Sequence, residues 1–401
     1  MNSSLSLRFR PQELVVFGQN PDLSFNSLLK HQLPTSARPK TTPKRSVLVP
    51  RTAARLIVRA KINSPIEGVS EELNLIASQN LDFACTRRRV RSAFAEVQQQ
   101  LDHCLIKMAP TGIRTEEWYE RNSKGSEIFC KSWMPKPGVR IKGVLFYCHG
   151  YGGTCTFLFE GIARHIAAAG YIIYALDHPG FGLSDGLHGY IPSFDALVDN
   201  VIEIYTKIKG RPELQNLPHF ILGLSMGGAI TLKVHLKEPH AWDGVILVAP
   251  MCKIAEEVIP PAAVLKVLML LSRVMPKAKL FPQKDLTKLS FRDPIKRKMA
   301  FYNVISYSDQ TRLKTAVELL NATSYIEKRV EKVSSPLLIL HGAADKVTDP
   351  LISKFLYEKA SSTDKTLKLY DEGYHNILEG EPDDRIFNVL GDIISWLDAR
   401  C

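Results

Sequence analysis

No stretch of about 18 or more apolar residues occurs in this chain, so no segment reads as a transmembrane helix. The seven cysteines, at positions 85, 104, 130, 148, 155, 252 and 401, form no CxxC pair, and their number is odd. They offer neither a zinc motif nor a disulfide framework, and read as small buried hydrophobes in a reducing compartment. No metal or cofactor is expected. Acids are nearly missing from residues 1–61, where only Glu13 and Asp22 face eleven Lys/Arg. That segment carries +9 of the net charge of +11, so the rest of the chain is close to neutral and no nucleic-acid partner is expected.

The same 61 residues lack a compact apolar core behind a charged start, which argues against a secretory signal. They are rich in Ser, Thr, Pro and Arg, as in Thr35-Ser36-Ala37-Arg38-Pro39-Lys40. This is the composition of an organelle transit peptide. The absence of an Arg-studded amphipathic helix favours the chloroplast over the mitochondrion, and a plain disordered tail is the simpler alternative. Residues 62–109 form an arm in which Val90, Phe94, Val97, Leu101 and Leu105 mark one helical face. Such a face packs on a neighbouring domain or meets a membrane or partner, and periodicity alone does not separate these.

The chain has 401 residues, of which 45% are hydrophobic and 23% charged, enough for one large domain with extensions. Within 110–400, apolar runs at 144–148, 171–176, 220–222, 245–248, 337–340 and 367–370 alternate with helix-length amphipathic stretches. The expected fold is α/β: a mostly parallel sheet with helices on both faces. In such sheets the functional groups gather at the carboxyl ends of the strands.

Gly223-Leu224-Ser225-Met226-Gly227 has the form G-x-S-x-G between an apolar strand and a helix-compatible run. A serine on a tight strand-to-helix turn stands clear of the sheet, and small residues two before and two after let the backbone close around it. Ser225 is therefore the candidate nucleophile, and it needs a base. Proteins with this turn run in the order Ser, acid, His. That order favours His375, in the loop after the last strand, over His341, which ends a strand and otherwise reads as a turn or core histidine. Asp345, just past the penultimate strand, is the candidate acid. Asp349 is the alternative, or else a helix N-cap ahead of Pro350. The N–H groups of Met226 and of Tyr151, in His149-Gly150-Tyr151-Gly152-Gly153, are the candidate oxyanion donors.

Together CHGYGGT at 148–154, LDHPGFGLSDG at 176–186, GLSMGGAI at 223–230, LHGAADKVTDP at 340–350 and GYHNILEGEP at 373–382 resemble plant monoacylglycerol lipase-like proteins of the α/β-hydrolase superfamily. Caffeoylshikimate esterases belong to the same plant group. The resemblance covers about residues 110–400. It implies hydrolysis of monoacylglycerols or lysophospholipids, a triad at Ser225, Asp345 and His375, and oxyanion donors at Tyr151 and Met226. Residues 1–107 fall outside the common pattern and carry no expectation for the chemistry.

Between about 250 and 330 the strand pattern pauses, at the place where a helical cap follows the sixth strand. Its segment Ala262 to Met275 is apolar on nearly all sides and must be buried or face lipid. Residues 253–298 carry eleven Lys/Arg against four acids, which suits docking on an anionic membrane surface; a packed helix beneath a solvated basic face is the alternative. The expected substrate is a small acyl ester, with a phenolic ester second. Acyl transfer and a non-catalytic ligand receptor stand behind these. A halide-displacing enzyme is disfavoured because the turn carries Ser rather than Asp. No feature sets an oligomeric state.

Overall fold

The computed structural model describes residues 65–253, 261–281 and 286–401. The transit peptide expected over 1–61 lies outside the described residues.

The framework is an eight-stranded sheet. Its strands are β1 (Arg114–Arg121), β2 (Glu127–Met134), β3 (Gly143–Cys148), β4 (Tyr171–Leu176), β5 (His219–Leu224), β6 (Gly244–Val248), β7 (Leu337–Gly342) and β8 (Lys365–Tyr370). Their order is β1-β2-β4-β3-β5-β6-β7-β8. The first two pairings, β1 with β2 and β2 with β4, are antiparallel, and the remainder are parallel.

β3, β4 and β6 are buried along their whole length, as parallel strands covered on both faces must be. Alternate side chains then serve two cores. Val144 and Phe146 join one with α5 (Phe194–Lys209) and α11 (Pro350–Lys359). Leu145 and Tyr147 join the other with α4 (Leu158–Ala168) and α12 (Asp383–Asp398). Local chemistry fixes the helix starts. The Ser193 side chain accepts the Ala196 N–H at the head of α5. Asp349 accepts the Leu351 N–H with Pro350 in the first helical position, so this residue is an N-cap.

The arm folds as α1 (Glu71–Ala77), α2 (Ala84–Gln99) and α3 (Cys104–Lys107). Val90, Phe94 and Leu105 are buried in the second core, so this face packs on the catalytic body. Burying each contributes about 2 kcal/mol. Arg87 goes in with them, completely buried. It donates from Nε to the Gly182 carbonyl at 2.5 Å, from Nη2 to Ser184 at 2.6 Å and from Nη1 to Leu81 at 2.8 Å. The arm is thereby fixed to the loop that follows β4.

Between β6 and β7 lie α7 (Ala262–Val274), α8 (Leu286–Ser290), α9 (Pro294–Ala300) and α10 (Leu313–Glu327). α7 lies against α10. The expectation that α7 is either buried or lipid-facing meets a clear geometry: Val267, Leu270 and Val274 are 58%, 62% and 77% exposed, and only Ser272 of the helix is buried. No helix of the described residues is long and apolar enough to cross a membrane.

Five of the cysteines are buried; Cys85 and Cys401 are exposed. Burial pushes the Cys148 and Cys252 thiols up to about 12, as expected of inert packing groups.

Candidate active site

The site assembles from four turns at the carboxyl ends of the parallel strands. β5 runs into α6 (Met226–Lys237) through Ser225 alone. Ser225 has φ 55° and ψ −116°, a conformation that costs a non-glycine residue about 1–3 kcal/mol. Its neighbours hold it there. The Ser225 N–H donates to the Val248 carbonyl at 3.0 Å, and its carbonyl accepts from Met251 N–H at 3.0 Å. A Cβ on Gly227 would stand 1.9 Å from the Cys148 carbonyl oxygen, and one on Gly223 2.3 Å from that of Gly227. Both positions must be glycine for the turn to close, as the pattern required.

Asp345 and His375 meet across the turns after β7 and β8. Asp345 Oδ2 lies 2.7 Å from His375 Nδ1. The carboxylate is surrounded by donors. Oδ1 accepts the Val347 N–H at 2.7 Å and the Thr348 N–H at 3.1 Å. Oδ2 also accepts the Thr348 hydroxyl at 2.9 Å. Burial alone would raise this carboxyl, but the opposing influence of His375 and His341 wins and holds it well below the usual carboxylate range. Ionised, the carboxylate can hold a proton on His375 Nδ1 and leave Nε2 as the acceptor. His375 and Ser225 line one cavity of about 950 Å³.

His341, the rival base, contacts the same carboxylate oxygen as His375. Its Nε2 lies 3.0 Å from Asp345 Oδ2 and 3.0 Å from the Thr348 carbonyl, and its Nδ1 lies 2.7 Å from Ser353 Oγ. Two acceptors at Nε2 require the proton there, so Nδ1 accepts from Ser353. This completely buried side chain supports the acid and has no face on the cavity.

The loop after β3 carries Tyr151. The Met226 N–H belongs to the first turn of α6, where donors lack intrahelical acceptors. The loop is braced from below by His149, whose Nδ1 donates to the Gly150 carbonyl at 2.8 Å while Nε2 accepts the His178 N–H at 3.0 Å. Burial lowers the affinity of His149 for a second proton, Asp177 opposing. From above, the cap binds the loop: Tyr307 N–H and the Ser306 hydroxyl both donate to the Gly152 carbonyl at 2.9 Å. Neither brace was foreseen in the sequence, although His149 sits inside the CHGYGGT run.

The family model described as serine aminopeptidase, S33 matches residues 139–383. The chain belongs to this family of α/β-hydrolases. It is 34% identical over 290 residues to the caffeoylshikimate esterase of Arabidopsis thaliana, covering 72% of this chain and 87% of that protein. It is 32% identical over 283 residues to the Homo sapiens monoglyceride lipase, covering 70% and 89%. A soluble variant of the Saccharomyces cerevisiae monoglyceride lipase, solved with a substrate analog, shares the fold with a TM-score of 0.62 at 23% identity, over 72% of this chain and 95% of that one. This α/β-hydrolase is a serine carboxylic-ester hydrolase.

Two acids line the hydrolase cavity, Glu67 at the arm and Glu379. Burial pushes the Glu379 carboxyl up to about 7, from the ordinary 4.5. A folded-state value above the unfolded one makes its contribution to stability fully present below about 4.5 and lost as pH rises through about 7. The Glu379→Gln variant is uncharged at every pH. It should therefore melt progressively higher than the wild type as pH goes from 5 to 8, the two converging in acid. A constant Tm difference over that range, read by scanning calorimetry, would refute the assignment.

Proposed function

We propose that Ser225, His375 and Asp345 carry out ester hydrolysis through an acyl-enzyme, with monoacylglycerols or lysophospholipids as substrates. The Ser225 hydroxyl attacks the ester carbonyl as His375 Nε2 takes its proton. The tetrahedral oxyanion accepts hydrogen bonds from the Tyr151 and Met226 N–H groups. It collapses with the C–O bond breaking, and imidazolium returns the proton to the departing glycerol oxygen. Water then attacks the acyl-Ser225 ester, again losing its proton to His375, and the fatty acid leaves.

The observation that carries the lipid reading is the cavity at Ser225. At about 950 Å³ it lies at the upper end of the usual range for ligand pockets, and Phe157, Leu158, Phe291 and Met299 line it. A phenolic ester needs less room. The exposed apolar side of α7 adds support, because beside Lys266, Arg273 and Lys277 it suits peripheral contact with an anionic lipid surface. The second reading, a phenolic-ester esterase, is favoured by the 34% identity to the caffeoylshikimate esterase and by the polar Glu379 and Asn376 in the cavity wall.

The deciding experiment compares kcat/KM on a monoacylglycerol, a lysophospholipid and caffeoylshikimate, with Ser225→Ala as the blank. Ser225-dependent release of fatty acid should exceed phenolic-ester turnover by at least about tenfold. Turnover of caffeoylshikimate alone would overturn the lipid reading. Presenting the monoacylglycerol in anionic vesicles extends the assay to the surface contact: Val267→Glu with Leu270→Glu should slow only the vesicle-bound substrate, and a vesicle rate equal to that of the wild type would refute that contact.

A further inference from the structure

The family match begins at residue 139, and the arm precedes it. Yet Ile66, Ala77, Leu81 and Leu101 of the arm stand in the wall of the cavity that holds Ser225 and His375. The sequence carries no expectation for the chemistry of residues 1–107, and the structure places part of the arm at the cavity. Sequence reading missed it because nothing local ties residue 77 to residue 225.

Three sets of contacts hold this wall in place. Arg87 fixes α2 to the loop after β4, as described above, and accounts for the Leu81 carbonyl. Asp82 pairs at 2.7 Å with Arg312, a nearly buried side chain at the head of α10. The cap closes the third side. Gln98 Nε2 donates to the Tyr302 carbonyl at 2.7 Å, and the Tyr302 hydroxyl donates to the Glu67 carbonyl at 2.5 Å. The exposed Lys298–Glu67 pair at 3.0 Å adds little in water.

The wall's hydrocarbon comes from Pro65, Ile66, Ala77 and Leu81; Glu67, Asn74 and Ser78 line the cavity beside them, with Glu67 paired to Lys298 and the Ser78 hydroxyl donating to the Leu75 carbonyl at 2.8 Å. Asn74 is engaged within the arm: Oδ1 accepts the Ile66 N–H at 2.8 Å, and Nδ2 donates to the Val69 carbonyl at 3.1 Å and the Ser70 carbonyl at 3.2 Å. Phe291 and Met299 of the cap line the same cavity. On the far side of α1, Leu75 is 70% exposed and does not line the cavity.

We propose that residues 65–81 are a specificity wall, which with the cap encloses the acyl chain of the substrate and limits the longest acyl group that fits. Ala77 leaves room where a larger side chain would occupy it. This rests on the ester-hydrolase reading and adds to it a segment outside the matched family region.

The test uses the full chain and two chromogenic reporters in the same detergent dispersion, p-nitrophenyl butyrate and p-nitrophenyl palmitate. In Ala77→Trp the ratio of kcat/KM for palmitate over butyrate should fall roughly tenfold or more. Leu75→Trp, on the solvent face of the same helix, should leave the ratio as in the wild type. If Ala77→Trp fails to fold, Leu81→Ala takes its place and should raise the ratio by widening the same wall. A ratio unchanged in Ala77→Trp, or in Leu81→Ala, overturns the proposal while the hydrolase reading stands. Wild-type rates equal to those of Ser225→Ala on both esters would overturn the hydrolase reading itself, and the wall with it.

Discussion

Ser225→Ala is expected to lower kcat on an acyl ester by about 10⁶-fold, with the fold intact. The variant keeps the Cβ and the turn that Gly223 and Gly227 allow, and loses only the attacking oxygen. His375→Ala should cost about as much, and adding it to Ser225→Ala should cost almost nothing more, because the two act in one step. Asp345→Asn should cost about 10⁴-fold. An amide in place of the carboxylate removes the negative charge that keeps the proton on His375 Nδ1, 2.7 Å away, and can present an N–H to the ring instead. The ring proton then sits on Nε2, which can no longer accept the proton of Ser225. Single-turnover kinetics with a chromogenic ester, beside a melting curve, check the set. A Ser225→Ala rate within tenfold of wild type would remove Ser225 from the mechanism.

The largest effect on stability is expected at Arg87. Its burial pushes the guanidinium down to about 10, Asp177 opposing, so it remains charged at neutral pH. In Arg87→Met the apolar stem is replaced by a side chain of similar reach, but the carbonyls of Leu81, Gly182 and Ser184 lose their donors inside the protein. Leaving such groups buried and unpaired costs about 3–5 kcal/mol in all. The Tm should drop by roughly 10 °C. Lysine should rescue little, since one ammonium cannot reach three carbonyls arranged for a planar fork. A loss of less than about 2 °C by calorimetry would show that the arm is held by its apolar face alone.

The parallel strands were legible because burial on both faces writes an unbroken apolar run, as in Tyr171 to Leu176. β1 was not. Its sequence RTEEWYER is charged and mostly exposed, as suits a sheet edge that must not pair with another chain. Its pairing comes from β2, and β2 was itself disguised by Lys131, which lies buried between Glu117 and Glu160, each at 2.7 Å. Ser225, Asp345 and His375 stood out as candidates because the turn chemistry is local and the chain order selects among few histidines. The same order could not say that His341 would share the Asp345 Oδ2 atom with His375. α7 was ambiguous for a physical reason: a stretch apolar all round has the same sequence whether protein, lipid or water surrounds it. Its exposed Val267 and Leu270 had to be seen in place.

The two donors that the cap sends to the Gly152 carbonyl set a rule for exchanging parts between hydrolases. A chimaera that imports a foreign cap with its C-terminal junction after residue 307 keeps the fastening of the Tyr151 loop only if the import supplies a backbone N–H at 307 and a hydroxyl at 306 in the same places. One whose junction falls before residue 306 changes the roof and keeps the fastening. Substrate range and turnover are thus separable modules only if the exchange leaves those two donors in place.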